Sequence, residues 1–263
     1  MGGVDEQKVK NNNMRRNWTR EESILAVNLY CKIPFGKIHQ HNPDIIELAR
    51  LIGRSPGAVA WKLVNYAHLD PSLDRKGASH VAKIDREIWH EFYENWDKLV
   101  HNSEILLAQI KKLNLEQSAD IPTNDLPKEG LERDQLIKTR VNQNFFRKMI
   151  LSSYNNSCCI TGINELQLLI GSHIIPWNAD KKNRLNPRNG LCLNALHDKA
   201  FDQGLMTISK EFKVILSPKL LKSKNIAVQK FFSGYQNEVI KLPDRFLPDK
   251  IFLEYHNDVV FQK

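Results

Sequence analysis

Apolar positions recur at helical spacing through the first half of this chain and give way to short strand-like runs only beyond residue 165. Thr19 and Glu22 stand at capping-box spacing, and Ile24, Leu25, Val27 and Leu29 follow, so a helix is predicted from near Arg20. Asn42 as a cap and Pro43 in the first turn announce a second helix, which carries Ile45, Ile46, Leu48, Ala49 and Ile52 until Gly53 stops it. A third begins at Ser55 and Pro56 and runs to about Ala67. Only Gly53, Arg54 and Ser55 separate these two, the outline of a helix-turn-helix whose second helix enters the major groove. On that reading Arg54, Lys62 and Asn65 face DNA, whereas a plain helical hairpin would give them no such role. Trp89, Phe92 and Trp96 recur at i, i+3 and i+7 and are assigned to the core of a small winged or four-helix unit.

A Leu/Ile-rich helix is predicted from about Asn102 to Leu113, and the prolines, glycine and polar residues of EQSADIPTNDLPKEG then read as a linker. A fresh helix, TRVNQNFFRKMILSSY, carries an apolar stripe of Phe145, Met149 and Ile150 and a basic one of Arg140, Arg147 and Lys148. LQLLIGSHIIPW reads as a strand ending at Pro176, with His173 near its end. A long polar excursion follows. Asn189 and Gly190 are predicted to turn the chain into a short strand, Leu191–Leu193, and then into a helix from about Asn194 that ends at Gly204. The expected partition is a helical DNA-recognition domain over 14–100, a helix and linker over 101–135, and a catalytic domain with its tail over 136–263.

On the predicted last helix Asp198 and Asp202 lie at i and i+4, so both carboxylates project from one face and can converge on one cation. His197 points elsewhere on the same helix. An imidazole with a pKa near about 6.5 can take a proton from water at neutral pH, while a metal on the scissile phosphate stabilises the leaving oxygen. His173 opposite an acidic helix face is thus a kit for phosphodiester hydrolysis.

Taken in order, SHIIPW, NPRNGLCL and LHDKAFDQGL resemble the HNH, or ββα-metal, endonucleases, particularly the restriction-type branch, over roughly Arg140 to Pro218. The resemblance implies a ββα-metal domain, and with the helical, helix-turn-helix or winged-helix-like unit read before it the expected fold is α+β. The resemblance also implies that His173 is the general base, that Asn189 holds the loop and the base, and that Asp198 or His197 supplies a ligand to one divalent metal; Asp202 is either a further ligand or a hydrogen-bonding group at the helix end. Products would carry 5′-phosphate and 3′-hydroxyl ends. Magnesium or manganese is expected for a carboxylate-rich shell, and zinc, nickel or cobalt if His197 binds. Ser172 departs from the family pattern, because many members place Asp or His there as a ligand. Paired C-x-x-C knuckles are also missing, so no structural zinc is expected.

Charge and composition add the partner. With 38 Lys+Arg against 30 Asp+Glu, a net charge of +8 and a pI near 9.2, the surface attracts polyanions, and double-stranded DNA is the expected partner. Arg184 and Arg188, between base and helix, are candidates for gripping phosphates. One active site cuts one strand, so a double-strand break calls for a homodimer or two visits; a homodimer is expected. Cys31, Cys158, Cys159 and Cys192 read as reduced thiols, and no apolar run reaches transmembrane length. Glu6 stands where a Gly2 myristoylation signal wants Ser or Thr, so a soluble cytoplasmic chain without a membrane role is expected. His39, His41, His68, His80, His90 and His256 are treated as structural. The reading is a metal-dependent DNA endonuclease of restriction or phage defence, open to selectivity for modified DNA; the alternative is a DNA-binding regulator with a vestigial nuclease domain.

Overall fold

Capping residues start and stop the first helices where the chain pattern places them. In the computed structural model, which describes residues 16–73 and 81–263, α1 (Arg20–Lys32) opens on a complete capping box between Thr19 and Glu22. Asn42 caps α2 (Pro43–Ile52), which ends at Gly53 in the left-handed conformation, φ 65°. Ser55 caps α3 (Pro56–Leu69) by accepting from the Ala58 amide. With α4 (Lys83–Phe92) and α5 (Trp96–Lys111) these form a helical layer in which Trp89, Phe92 and Trp96 are buried, as their spacing predicts. The opening segment with Gly2 and Glu6, and His80, lie outside the described residues.

The stretch with linker composition is packed down. After α6 (Leu115–Ser118), Ile121 and Leu126 pack against the core. The long helix α7 (Leu131–Ser153) holds the segment through a bidentate Arg140–Asp125 pair at 2.8 and 2.7 Å, and Asn144 Nδ2 donates to the Ala119 carbonyl at 2.6 Å. One continuous hydrophobic core joins the helical layer to the later part of the chain. Arg245 seals the join: its guanidinium, buried over Tyr30 at 4.5 Å, donates to the Cys31 and Ile33 carbonyls at 3.2 and 2.8 Å. Those carbonyls close the C-terminal end of α1, where a cation meets the negative end of the helix dipole.

Two small antiparallel sheets complete an α+β fold. β1 (Leu169–His173) pairs with β2 (Gly190–Asn194) in a register that sets His173 opposite Gly190. The helix α8 (Ala195–Asp202) follows without a break and ends through Gly204, φ 64°. The second sheet joins β3 (Met206–Ile208) to β4 (Val214–Leu216), and α9 (Pro218–Leu221), α10 (Ile226–Phe232) and α11 (Lys250–Tyr255) wrap around this end. No helix among the described residues is long and apolar enough to cross a membrane.

Gly190 does not make the predicted turn. Its φ of −141° is extended, and a 3-10 turn over Pro187–Asn189 delivers the chain into β2 instead. The glycine is required for space: a Cβ there would collide with Ile150 Cδ1 and lie 2.9 Å from Phe146 Cζ, while one on Gly171 would lie 2.9 Å from the Arg147 Cα. Both strands therefore lie almost against α7. Gly190→Ala should cost about 1–3 kcal/mol through overpacking, read as a lower urea midpoint. An unchanged midpoint would show that helix and hairpin can separate without penalty.

Candidate active site

The polar excursion between β1 and β2 is ordered by its own side chains. Asp180 accepts from the Lys182 and Asn183 amides at 2.9 and 3.2 Å and from Asn183 Nδ2 at 2.6 Å, and Asn183 Oδ1 accepts from Asn186 Nδ2 at 3.0 Å. Asn189, 1% exposed, closes the loop. Its Oδ1 accepts from the Ile175 amide at 2.8 Å, and its Nδ2 donates to the Ile175 and Asn183 carbonyls, both at 3.2 Å. All three bonds go to backbone, so Asn189 fixes where the chain leaves His173.

His173 sits in an aromatic slot. Phe146 of α7 stacks on its ring with centroids 3.9 Å apart and planes 13° from parallel, and Trp177 meets it edge-on at 5.3 Å. The apolar stripe of Phe145, Met149 and Ile150 passes over Phe146; the strand glycines that admit a ring this close were the signal for it. His173 Nε2 lies 2.9 Å from the Arg184 carbonyl. A carbonyl can only accept, so Nε2 carries the proton and Nδ1 keeps its lone pair. Burial pushes the imidazole pKa down to about 4, with the bond to the Arg184 carbonyl opposing and the Arg184 charge assisting. At neutral pH the ring is an uncharged acceptor.

Behind β1, α8 presents Asp198 and Asp202. Desolvation raises both carboxyls above the usual range, and the Asp198 charge raises Asp202 further. Ser172 favours the ionised form of Asp198, yet its buried hydroxyl makes no hydrogen bond of regular geometry. Among the described residues no three His, Cys, Asp or Glu side chains converge as a ready-made metal cage.

The structure sets His197 apart from this pair. Its Nδ1 accepts from Asn194 Nδ2 at 2.7 Å and its Nε2 donates to the Phe231 carbonyl at 3.0 Å, while Phe232 and Tyr235 enclose the ring. Neither nitrogen is left for a metal, which corrects the assignment of His197 as a ligand. Cys158, Cys159 and Cys192 are buried, and Cys158 Sγ accepts from the Asn194 amide at 3.3 Å. Arg184 bends back so that its Nε donates to the Trp177 carbonyl at 2.6 Å, and exposed Arg188 pairs with Asp249 at 3.0 Å.

The expected DNA-facing side chains of α3 also turn inward. Lys62, 2% exposed, pairs with buried Asp85 of α4, and Asn65 Nδ2 donates to the same carboxylate at 3.0 Å. Arg54 bonds Glu22 at 2.7 Å and lies over Trp18 at 4.2 Å. A buried carboxylate must be paired, and that need overrides the helix-turn-helix assignment of Arg54, Lys62 and Asn65 to a DNA-facing surface.

The family model for HNH endonuclease matches residues 158–209, a stretch running from Cys158 through β1, the loop, β2 and α8 to the end of β3. This unit is an HNH endonuclease domain. No curated protein matches the chain.

Since His173 is held neutral in the fold while an unfolded imidazole protonates near about 6.5, stability contributed above that pH should be lost as pH falls toward about 4. An NMR titration should find the His173 midpoint near about 4, with the Nε2–H tautomer above it. A midpoint near about 6.5 would contradict the aromatic slot.

Proposed function

We propose that this chain is a metal-dependent DNA endonuclease of the restriction-type HNH branch. Its carboxy-terminal half hydrolyses phosphodiester bonds of double-stranded DNA in restriction or phage defence, and modified DNA is the substrate variant to test first. The observation that carries this reading is the unprotonated Nδ1 of a neutral His173, one residue along β1 from the hydroxyl that neighbours Asp198. The net charge of +8 suits a polyanionic substrate.

His173 Nδ1 takes a proton from a water as that water attacks phosphorus. The bond from phosphorus to the 3′ oxygen breaks, giving 3′-hydroxyl and 5′-phosphate ends. The Arg184 carbonyl keeps the imidazole in the tautomer that can accept, and Asn189 holds the loop that supplies this carbonyl. Because burial disfavours imidazolium, the acquired proton is readily passed on to solvent.

The donors fit a divalent cation. Asp198 and Asp202 are two carboxyls raised by burial, one of them also by its neighbour's charge, so a cation between them relieves both strains. Magnesium commonly binds through one or two carboxylates, with water and phosphate oxygens completing its shell. The closed environment of His197 leaves magnesium or manganese preferred over zinc, nickel or cobalt. When bound, the metal stabilises charge on the leaving oxygen. The regulator reading draws on Ser172 in the usual ligand position and on the lack of a three-residue cage among the described residues. A homodimer, with one site per strand, is proposed for double-strand cuts.

His173→Ala should lower magnesium-supported plasmid nicking by about 10²–10⁴-fold while DNA binding persists in gel shifts. Asp198→Asn should remove both cleavage and the calorimetric signal of manganese binding. Wild-type nicking by His173→Ala would exclude this mechanism. DNA binding by the unaltered chain without cleavage in magnesium or manganese would favour the regulator.

A further inference from the structure

The internal network of α3 and α4 forms the floor of an open cleft of about 600 Å³. Lys62 and Asp85, 2% and 1% exposed, lie at its base with Asn65. Asn65 spends its Nδ2 on Asp85, and its Oδ1 makes no hydrogen bond among the described residues. One wall is Trp18, whose ring already carries the cations of Arg54 and Lys62 at 4.2 and 4.5 Å. On the other stands Trp61, 66% exposed, the one exposed tryptophan of the five in the chain. The rim cations are Arg16, which pairs with Glu22 and donates to the Ile52 carbonyl at 3.0 Å, and the exposed Lys83, 3.7 Å from Glu87.

Each part has a counterpart in a nucleotide. An indole left in water while four other tryptophans are wholly or partly buried offers a flat apolar face, and bases stack on such faces whatever their sequence. The floor offers the Oδ1 of Asn65 as an acceptor for a base edge, held in place by the Lys62–Asp85 pair beneath it. The volume lies in the range of small-molecule sites. A base inside a duplex has both faces stacked on its neighbours, so only an unpaired one can lie on Trp61.

We propose that this cleft takes one unpaired nucleotide of the DNA substrate, with its base on Trp61, its edge over Asn65, and its phosphate at Lys83. The inference rests on the nuclease reading for the nature of the polymer. It gives the helical layer a means of selecting distorted or opened DNA, in place of the outward basic helix face that a helix-turn-helix would use.

The test uses the full chain carrying His173→Ala, so that nothing is cut, and two fluorescent duplexes of one sequence, one with a single-nucleotide bulge. Anisotropy titration should show tighter binding to the bulged duplex. Trp61→Ala should weaken that binding about 10-fold, within the range for losing one base stack, and leave the perfect duplex unchanged. Trp61→Phe should restore most of the loss. Because Trp61 is exposed, the thermal melt of each variant should match the parent. Equal affinity of the parent for both duplexes, bulge binding untouched by Trp61→Ala, or an equal loss on both duplexes would overturn the cleft assignment and leave the nuclease reading standing. Failure of the unaltered chain to bind either duplex would overturn both.

Discussion

The closeness of α7 to the β1–β2 hairpin is the constraint on which the remainder depends. Gly171 and Gly190 have no side chains to hold the helix away, and Phe146 and Ile150 fill the space their Cβ atoms would need. That proximity brings Phe146 into ring-on-ring contact with His173. The same helix packs on α1 through its other face, and Ser152 near its end donates to the Cys31 carbonyl at 2.7 Å. One helix therefore serves at once as the spine of the shared core and as the back wall of the aromatic slot around His173.

Electrostatics at the site follow from this burial. The imidazole is pushed down and the two carboxyls are pushed up, opposite directions with one cause, since desolvation favours whichever form is uncharged. For the histidine the result is a ring that stays uncharged at neutral pH. For the carboxyls it is a pair whose ionised forms are both disfavoured by their surroundings. His256 obeys the same rule: stacked on Phe201 at 3.7 Å and bonded to Thr207, it is also pushed down to about 4, but it lies behind α8 and serves packing.

Much of this was legible in the sequence because it is local. Caps at Thr19, Asn42 and Ser55, the stop at Gly53, and the order of strand, loop, strand and helix around His173 depend on near neighbours. What was not legible depends on partners far along the chain. Lys62 looks like a groove-facing lysine until Asp85, 23 residues away, claims it. His197 looks like a ligand until the Phe231 carbonyl, 34 residues on, takes its second nitrogen. Asn189-Gly190 has the composition of a tight turn, but the crowding that demands glycine comes from α7, about which a dipeptide carries no information. Trp61 fits a helical apolar pattern, and periodicity alone does not reveal that this position faces solvent.

The support behind α8 has a consequence for how the protein is made. His256 donates to the Phe201 carbonyl across 55 residues of sequence, and the Gln262 amide donates to the Gly204 carbonyl at 2.9 Å, so the rear of the helix that carries Asp198 and Asp202 is built from much later chain. At about 5–20 residues per second, that interval takes several seconds of synthesis. During it His173 already has its strand and its wall of α7, while the acidic helix lacks its backing. Order of translation thus delays completion of the HNH unit until the later chain that backs α8 has been made.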